Sequence, residues 1–183
     1  MKVKLNEEIK EYCKILKLKG IKTHFEEAML EATDYEDFLH KLLNFEMEEK
    51  DKRSIDCRIR SAHLPYRQYF EDIEIDCLPD DMKKRLPELA TLDFIKKGKN
   101  IIMTGNPGTG KTMVSIALGL KACMAGYKVL FTTVPLLVTT LKESNSTKTL
   151  RYFENRFEKY DLVIADELCK AMHNSSYEKS FVM

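Results

Sequence analysis

The residues best suited to chemistry lie in one glycine-rich segment, 105–112, which reads Gly-Asn-Pro-Gly-Thr-Gly-Lys-Thr. This segment matches the G-x-x-x-x-G-K-[ST] pattern of a phosphate-binding loop. Its glycines let the backbone approach the phosphates, and its amides then form an anion-binding nest at the start of a helix. The residues predicted to bind the nucleotide are Gly105, Asn106, Pro107, Gly108, Thr109, Gly110, Lys111, Thr112 and Met113.

Two side chains of this loop have individual predicted roles. Lys111 is expected to bridge the β- and γ-phosphates of ATP, and the Thr112 hydroxyl is expected to ligate Mg²⁺. A glycine-rich turn can match the pattern by chance. An apolar strand before the loop and a long helix after it disfavour that alternative, because a phosphate loop requires this context. The sequence therefore predicts binding of ATP and Mg²⁺.

A second candidate is the apolar segment 161–167, Asp-Leu-Val-Ile-Ala-Asp-Glu, which ends in two acids. Acids at the carboxyl end of a parallel strand face the ligand crevice. Asp166 is expected to hold the Mg²⁺ through water, and Glu167 to polarise the attacking water as a general base. The alternative is that the two acids only cap a following helix. Their position downstream of a phosphate loop favours the catalytic interpretation.

The elements that position these residues alternate in type from residue 100 onward. Apolar runs predict strands at 100–104, 128–132 and 162–165. Helical spacing predicts helices at 111–125, 135–143 and 148–159. Strands separated by helices indicate a parallel sheet with both faces covered. The predicted fold class is therefore α/β, with the parallel sheet of a P-loop NTPase.

The first 60 residues instead have the spacing of helices. Gly20 is predicted to end the first helix, and Thr33 and Asp34 are the predicted cap residues of a later one. Residues 64–79 read as an irregular connection. The predicted organisation is an N-terminal helical region with a linker, 1–79, followed by an ATP-binding domain, 80–183.

A basic stretch from Lys50 to Arg67 has two interpretations. It is either a solvated helix face with ion pairs one turn apart, or a surface that contacts DNA phosphates. Interleaved acids favour the ion pairs. The net charge of +1 does not by itself indicate a nucleic-acid-binding protein.

The remaining composition is typical of a soluble globular protein of 183 residues. The five cysteines include no C-x-x-C pair, which fits reduced thiols better than disulfides or a zinc site. The N-terminus lacks the apolar core of a secretory signal, and no apolar run is long enough to cross a membrane. A cytoplasmic protein with no membrane partner is expected.

Several segments together resemble the IstB-like ATP-binding proteins. The phosphate loop is preceded by Leu-Ala-Thr-Leu-Asp-Phe-Ile and Gly-Lys-Asn, and it is followed by Ala-Gly-Tyr-Lys-Val-Leu-Phe-Thr-Thr and then Asp-Glu-Leu. The resemblance covers most of the chain to Leu168. Proteins of that family are AAA+ ATPases that help bacterial insertion sequences transpose, and they are related to the DnaC helicase loaders.

This resemblance implies ATP-dependent assembly on double-stranded DNA, self-association, and target-site selection for the transposase of the same insertion sequence. Gly105 to Thr112 match the family's Walker A loop, and Asp166 and Glu167 match its Walker B acids. The N-terminal helices contact partners or DNA in that family, so both interpretations of the basic stretch stay open. Two alternatives remain. One is a loader of a replicative helicase, and the other is a fragment that acts only as an interaction module.

The chain departs from the family pattern after Leu168, where Cys169 to Met183 lack a convincing period. We expect a truncated or frameshifted end. The strand order implied by the resemblance is 5-1-4-3-2, which places a fourth strand between the phosphate-loop strand and the Asp166 strand. Without that strand, Asp166 and Lys111 are expected to be held apart. ATP is then expected to be hydrolysed poorly or not at all.

Overall fold

The computed structural model describes residues 2–146 and 150–168. It divides into two compact units, Met1–Asp56 and Cys57–Met183. The boundary falls inside one long helix. Residues 57–79 belong to the second unit, whereas the sequence-based division assigned them to the N-terminal region. That division, as a separation of functions, stays a prediction.

Three helices form the described part of the first unit: α1 (Lys2–Ile15), α2 (Lys19–Glu31) and the first part of α3 (Tyr35–Ser61). Gly20 lies in the first turn of α2, so the prediction that it ends the first helix is wrong. A Cβ on Gly20 would lie 2.6 Å from the Glu46 Cα, so a side chain there would overlap the α3 backbone. This glycine therefore serves close helix packing, which local sequence does not reveal.

Polar side chains fix the starts of α2 and α3. A carboxylate oxygen of Glu46 accepts hydrogen bonds from the backbone amides of Gly20 (2.7 Å) and Ile21 (3.2 Å). Asp34 caps α3 as predicted, because its carboxylate accepts the Asp37 amide hydrogen at 2.8 Å. Each acid satisfies an amide that the first turn of a helix leaves without a helical partner.

The second unit contains the end of α3 and all later elements. After a single 3₁₀ turn at Ile75–Cys77, its elements are α4 (Asp80–Ala90), α5 (Asp93–Lys96), α6 (Lys111–Met124), β1 (Val129–Thr133), α7 (Val134–Ser146), α8 (Leu150–Phe157) and β2 (Leu162–Asp166). The alternation from residue 111 onward agrees with the prediction. The predicted irregular ending, 169–183, lies outside the described residues.

Helix α6 is the centre of this unit's core. Eight of its residues are buried, because the helix is apolar on nearly all sides. Val114, Ala117 and Leu118 of α6 share one apolar cluster with Leu78 and with Val129 of β1. The helix that begins at the phosphate loop is thereby held rigidly against the sheet.

The described strands form one parallel pair. Val129 is opposite Leu162, and the register runs to Thr133 opposite Asp166. The other edge of β1 is partly covered, because the Phe131 amide donates a hydrogen bond of 2.8 Å to the Ala62 carbonyl. A small parallel sheet with helices confirms the predicted α/β class and places Asp166 at the carboxyl end of its strand.

The predicted strand at 100–104 does not form. Within the described residues, β1 and β2 pair with each other, and neither forms a ladder with this segment. A strand is stabilised by hydrogen bonds to a neighbour, so an apolar run alone does not make one. Ile102 of this segment is 80% exposed.

Candidate nucleotide-binding site

Residues 99–104, which lack regular structure, precede the phosphate loop, and α6 begins within the loop at Lys111. Gly108 (φ 80°) and Gly110 (φ 79°) have left-handed backbones, and Gly110 is the residue that caps α6. A Cβ at Gly110 would also lie only 2.7 Å from the Leu78 side chain. The backbone conformation therefore favours glycine at 110, and an added side chain would also have to displace the Leu78 side chain.

The Lys111 ammonium group lies across this loop. Its Nζ donates hydrogen bonds to the carbonyl oxygens of Gly105 (2.9 Å) and Asn106 (2.7 Å), and to the Thr109 hydroxyl at 3.1 Å. All three acceptors are neutral. Among the described residues no carboxylate forms an ion pair with Lys111, so its charge is available to an anionic ligand.

An open cavity lies against the loop. Its volume is about 230 Å³, and it is lined by Pro107, Gly108, Thr109, Gly110, Lys111, Thr112 and Met113. Seven of the nine residues predicted to bind the nucleotide thus line one hollow at the start of α6. Backbone amides at a helix start and a lysine are the groups that bind phosphate in loops of this type.

A slightly larger cavity, of about 270 Å³, lies at the other end of α6. It is lined in part by Phe70, Met124 and Lys121, whose Nζ is 4.9 Å from the centre of the Phe70 ring. None of its lining residues belongs to the loop or to the acid-ended strand. Of these two cavities, the smaller one has the groups that suit a phosphate ligand.

Thr112 and Asp166, the residues predicted to bind Mg²⁺, contact each other. The Thr112 hydroxyl donates a hydrogen bond of 3.0 Å to one Asp166 carboxylate oxygen. The other oxygen accepts the Glu167 amide hydrogen at 2.8 Å. The expected separation of Asp166 from the loop that carries Lys111 is therefore wrong, because Thr112 reaches it directly. A hydroxyl and a carboxylate are the oxygen ligands that Mg²⁺ prefers, so these residues fit that ion.

Glu167 has an unusual backbone. Its φ is 62°, in the left-handed region that residues with a Cβ seldom adopt. Such conformations cluster at functional sites, where the surrounding structure maintains them. Here the hydrogen bond between its amide and the Asp166 carboxylate accompanies the turn. Glu167 therefore directly follows Asp166, the acid predicted to bind Mg²⁺, and its backbone conformation is left-handed.

Two thiols of the second unit are poorly suited to nucleophilic chemistry. The Cys77 thiol donates a hydrogen bond of 3.5 Å to the Glu74 carboxylate, and this bond raises the pKa of Cys77. Burial raises the pKa of Cys123 in α6. Both groups remain largely protonated at neutral pH, and a protonated thiol is a weak nucleophile.

Leu78 is the residue at this site that the sequence did not single out. It is 4% exposed and contacts the α6 start at Gly110. A glycine in the loop indicates that another group packs closely against the backbone, but no local sequence pattern identifies that group as Leu78. The contact arises from tertiary packing between the connection and the loop.

The basic stretch is largely engaged in internal contacts. Arg53 pairs with Glu46 at 2.8 Å, and Lys52 lies 4.0 Å from Glu48. The Arg58 Nε donates a hydrogen bond of 2.9 Å to the Cys123 carbonyl. These contacts support the structural interpretation of the stretch. The DNA interpretation stays a prediction.

A glycine-rich loop that opens a buried helix, together with a parallel strand that ends in an acid contacting that helix, defines a P-loop nucleotide-binding protein of the α/β class. The family described as IstB-like ATP binding protein matches residues 12–180. The chain belongs to this family.

Relatives named for ATP binding in insertion sequences agree with this assignment. A protein of insertion sequence IS5376 from Geobacillus stearothermophilus is 34% identical over 168 residues, which cover 90% of this chain and 67% of the relative. A protein of IS21 from Pseudomonas aeruginosa is 31% identical, with 84% and 59% covered. A protein from Sinorhizobium fredii is 32% identical, with 84% and 53% covered. The chain thus spans about half to two thirds of these relatives. Within the described residues, no helix has the length and apolar character to cross a membrane.

Proposed function

We propose that this chain is an ATP-dependent helper of the transposase of an insertion sequence. The observation that carries the proposal is the contact between Thr112 and Asp166, beside a lysine whose acceptors within the described residues are all neutral. A loop for phosphate and a pair of oxygen ligands for Mg²⁺ thereby adjoin each other. The membership in a family of ATP-binding proteins, with insertion-sequence relatives, supports the biological context.

The loop residues 105–113 would hold the phosphates of ATP. Lys111 would exchange its carbonyl acceptors at Gly105 and Asn106 for β- and γ-phosphate oxygens. Phosphate oxygens are charged whereas carbonyl oxygens are neutral, so the ammonium group gains electrostatic attraction in this exchange, which favours the nucleotide. The backbone amides of the loop and of the first turn of α6 would supply the remaining donors.

Thr112 and Asp166 would hold Mg²⁺, which neutralises phosphate charge when bound. In the absence of the ion, the Thr112 hydroxyl proton is directed at the Asp166 carboxylate. Turning that proton away would free the hydroxyl oxygen as a ligand. Asp166 would then accept hydrogen bonds from water molecules on the ion. Glu167, the next residue, would orient and polarise the attacking water as a general base, and the expectation of poor ATP hydrolysis stays a prediction.

In this proposal ATP binding promotes assembly of the chain on double-stranded DNA, self-association, and selection of the target site for the transposase. The names of the relatives place them in insertion sequences and describe ATP binding. The partner role is our inference from that context. A helicase loader would use the same site, and only the partner distinguishes the two functions.

The test is capture of a purified insertion-sequence transposase on immobilised duplex DNA, with and without ATP and Mg²⁺. We expect retention of the transposase to require both the chain and ATP. Lys111→Ala should abolish retention, and Lys99→Ala, at an exposed lysine before the loop, should not. Retention of a replicative helicase instead would assign the chain to the loaders. Retention independent of ATP would contradict the proposal.

A further inference from the structure

The corner between α1 and α2 is the most basic part of the first unit. Residues 12–25, Tyr-Cys-Lys-Ile-Leu-Lys-Leu-Lys-Gly-Ile-Lys-Thr-His-Phe, contain four lysines and no acid. We call Lys14, Lys17, Lys19 and Lys22 the basic corner. The first three are exposed and Lys22 is half-buried. We propose that the basic corner binds the phosphate backbone of duplex DNA.

The lysines of the basic corner are clustered and have no ion-pair partners among the described residues, whereas several other cations of this unit are paired. Within the described residues none of the four side chains forms an ion pair or hydrogen bond. Lys10 pairs with Glu26 at 2.8 Å, and Lys41 pairs with Asp37 at 3.2 Å. Two cations of this unit are therefore neutralised by ion pairs, whereas the four lysines of this cluster are not. An uncompensated cluster releases free energy when it meets a phosphate polymer, because counterions leave the DNA.

Helix electrostatics do not explain the whole cluster. Lys14 lies in the last turn of α1, where a cation is favourable. Lys19 and Lys22, however, lie in the first turn of α2, where the helix dipole disfavours positive charge. Glu46 offsets part of this charge, but its carboxylate already serves two amides of α2 and Arg53. An external anion would complete the balance.

Lys17 is held in place by the connection itself. Its φ is 60°, and it donates its amide hydrogen to the Lys14 carbonyl (3.2 Å), while Leu18 donates to the Cys13 carbonyl (2.8 Å). These two bonds form the motif that usually ends a helix with glycine. A residue with a Cβ costs about 1 kcal/mol or more in this conformation. The chain nevertheless carries a lysine at this exposed position.

Duplex DNA is the partner that fits best. This choice rests on the proposed function, in which the chain assembles on DNA. The proposed DNA contact is therefore the basic corner and not the Lys50–Arg67 stretch. Several cations of that stretch already form ion pairs or hydrogen bonds, whereas the lysines of the basic corner pair with none of the described residues. Ile15 and Leu16 are 70% and 66% exposed at the same corner, so an anionic membrane is the competing partner that the experiment must separate.

The experiment compares two variants of the full chain that lose the same charge. The test variant combines Lys17→Gly and Lys19→Gln. Glycine suits the left-handed backbone at 17, so this substitution is expected to preserve the fold. The control variant combines Lys50→Gln and Lys52→Gln on α3. A labelled duplex is titrated with each protein from 50 to 200 mM salt, with ATP and Mg²⁺ present.

We expect the test variant to bind DNA roughly tenfold more weakly at 0.1 M salt. The slope of log K against log salt should fall by about 0.9 for each phosphate that the variant no longer neutralises. The control should match the wild-type chain. Equally weakened binding in both variants, or unchanged binding in the test variant, would overturn the proposal but leave the proposed function standing. No DNA binding by the wild-type chain would overturn both. Each protein is also titrated with vesicles of anionic lipid. Weakened binding to the vesicles with unchanged binding to DNA would reassign the corner to membranes.

Discussion

Lys111 places its positive charge inside a loop of neutral acceptors. The described acceptors of its ammonium group are two carbonyl oxygens and one hydroxyl. A phosphate can replace them with charged oxygens at the same donors. The side chain is therefore preorganised beside the loop amides, and little conformational entropy remains to be lost when ATP binds.

Asp166 should matter for Mg²⁺ more than for the nucleotide. Asp166→Asn keeps an oxygen that can accept the Thr112 hydroxyl but removes the negative charge beside the ion. We expect nucleotide affinity in EDTA to stay within about twofold of wild type, and the gain in affinity on adding Mg²⁺ to fall by about tenfold or more. Titration of a fluorescent ATP analogue with and without Mg²⁺ measures both. An unchanged gain would exclude Asp166 as a metal-side residue.

Gly110 should tolerate no side chain. Gly110→Ala places a Cβ at 2.7 Å from Leu78 in a left-handed backbone. Gly98→Ala is the matched control, because its φ of 60° is also left-handed but nothing lies within 4 Å of the added Cβ. Backbone strain alone should cost each variant about 1 kcal/mol. We expect only Gly110→Ala to lose nucleotide binding as well, measured by titration and by urea unfolding. Equal behaviour of the two variants would contradict the role of Leu78.

At the scale of elements, sequence patterns predicted the helices, strands and loops that depend on neighbouring residues in the chain. The phosphate loop, the long helix after it and the acid-ended strand were all predicted, because glycine spacing and apolar runs encode them directly. The strand at 100–104 failed because a ladder needs a neighbour, which an apolar run does not supply. Gly20 was mistaken for a helix stop because its packing on the α3 backbone depends on residues far along the chain.

Glu46 joins two helices of the first unit. It is only 14% exposed, caps the start of α2 and pairs with Arg53. Glu46→Ala should lower the free energy of unfolding by about 1–3 kcal/mol, because a buried amide loses its acceptor. Glu48→Ala, on the same helix with an exposed 4.0 Å pair, should cost less than about 0.5 kcal/mol. Urea unfolding followed by circular dichroism distinguishes the two. Similar costs would refute the capping role.

At the scale of the whole molecule, the site joins residues that the sequence places far apart. Asp166 and Thr112 were predicted separately, each from its own pattern, and the structure brings their oxygens within 3.0 Å. The expectation of a gap between them came from counting strands. It failed because the first turn of α6 lies beside the end of β2. Gly119 of α6 packs closely on Ile164 of β2, which holds the helix in this position. The packing of one helix was decisive, and strand order alone could not reveal it.

In the first unit, the distribution of charge matters more than the net charge of the chain. The net charge of the chain is +1, which hides a local excess of lysine at the α1–α2 corner. The sequence analysis considered only the longer stretch from Lys50 to Arg67 as a DNA contact, and its interleaved acids favoured ion pairs instead. The structure shows which cations are already paired, and pairing cannot be counted from composition.

The central claim is that residues 105–112 bind the phosphates of ATP through Lys111. Isothermal titration of ATP with Mg²⁺ into the wild-type chain, Lys111→Ala and Lys99→Ala tests it most directly. The account predicts saturable binding with one site per chain for the wild type and for Lys99→Ala. It predicts at least about 100-fold weaker binding for Lys111→Ala, because the substitution removes a charge-assisted hydrogen bond to phosphate. Equal affinity for ATP in all three proteins would contradict it.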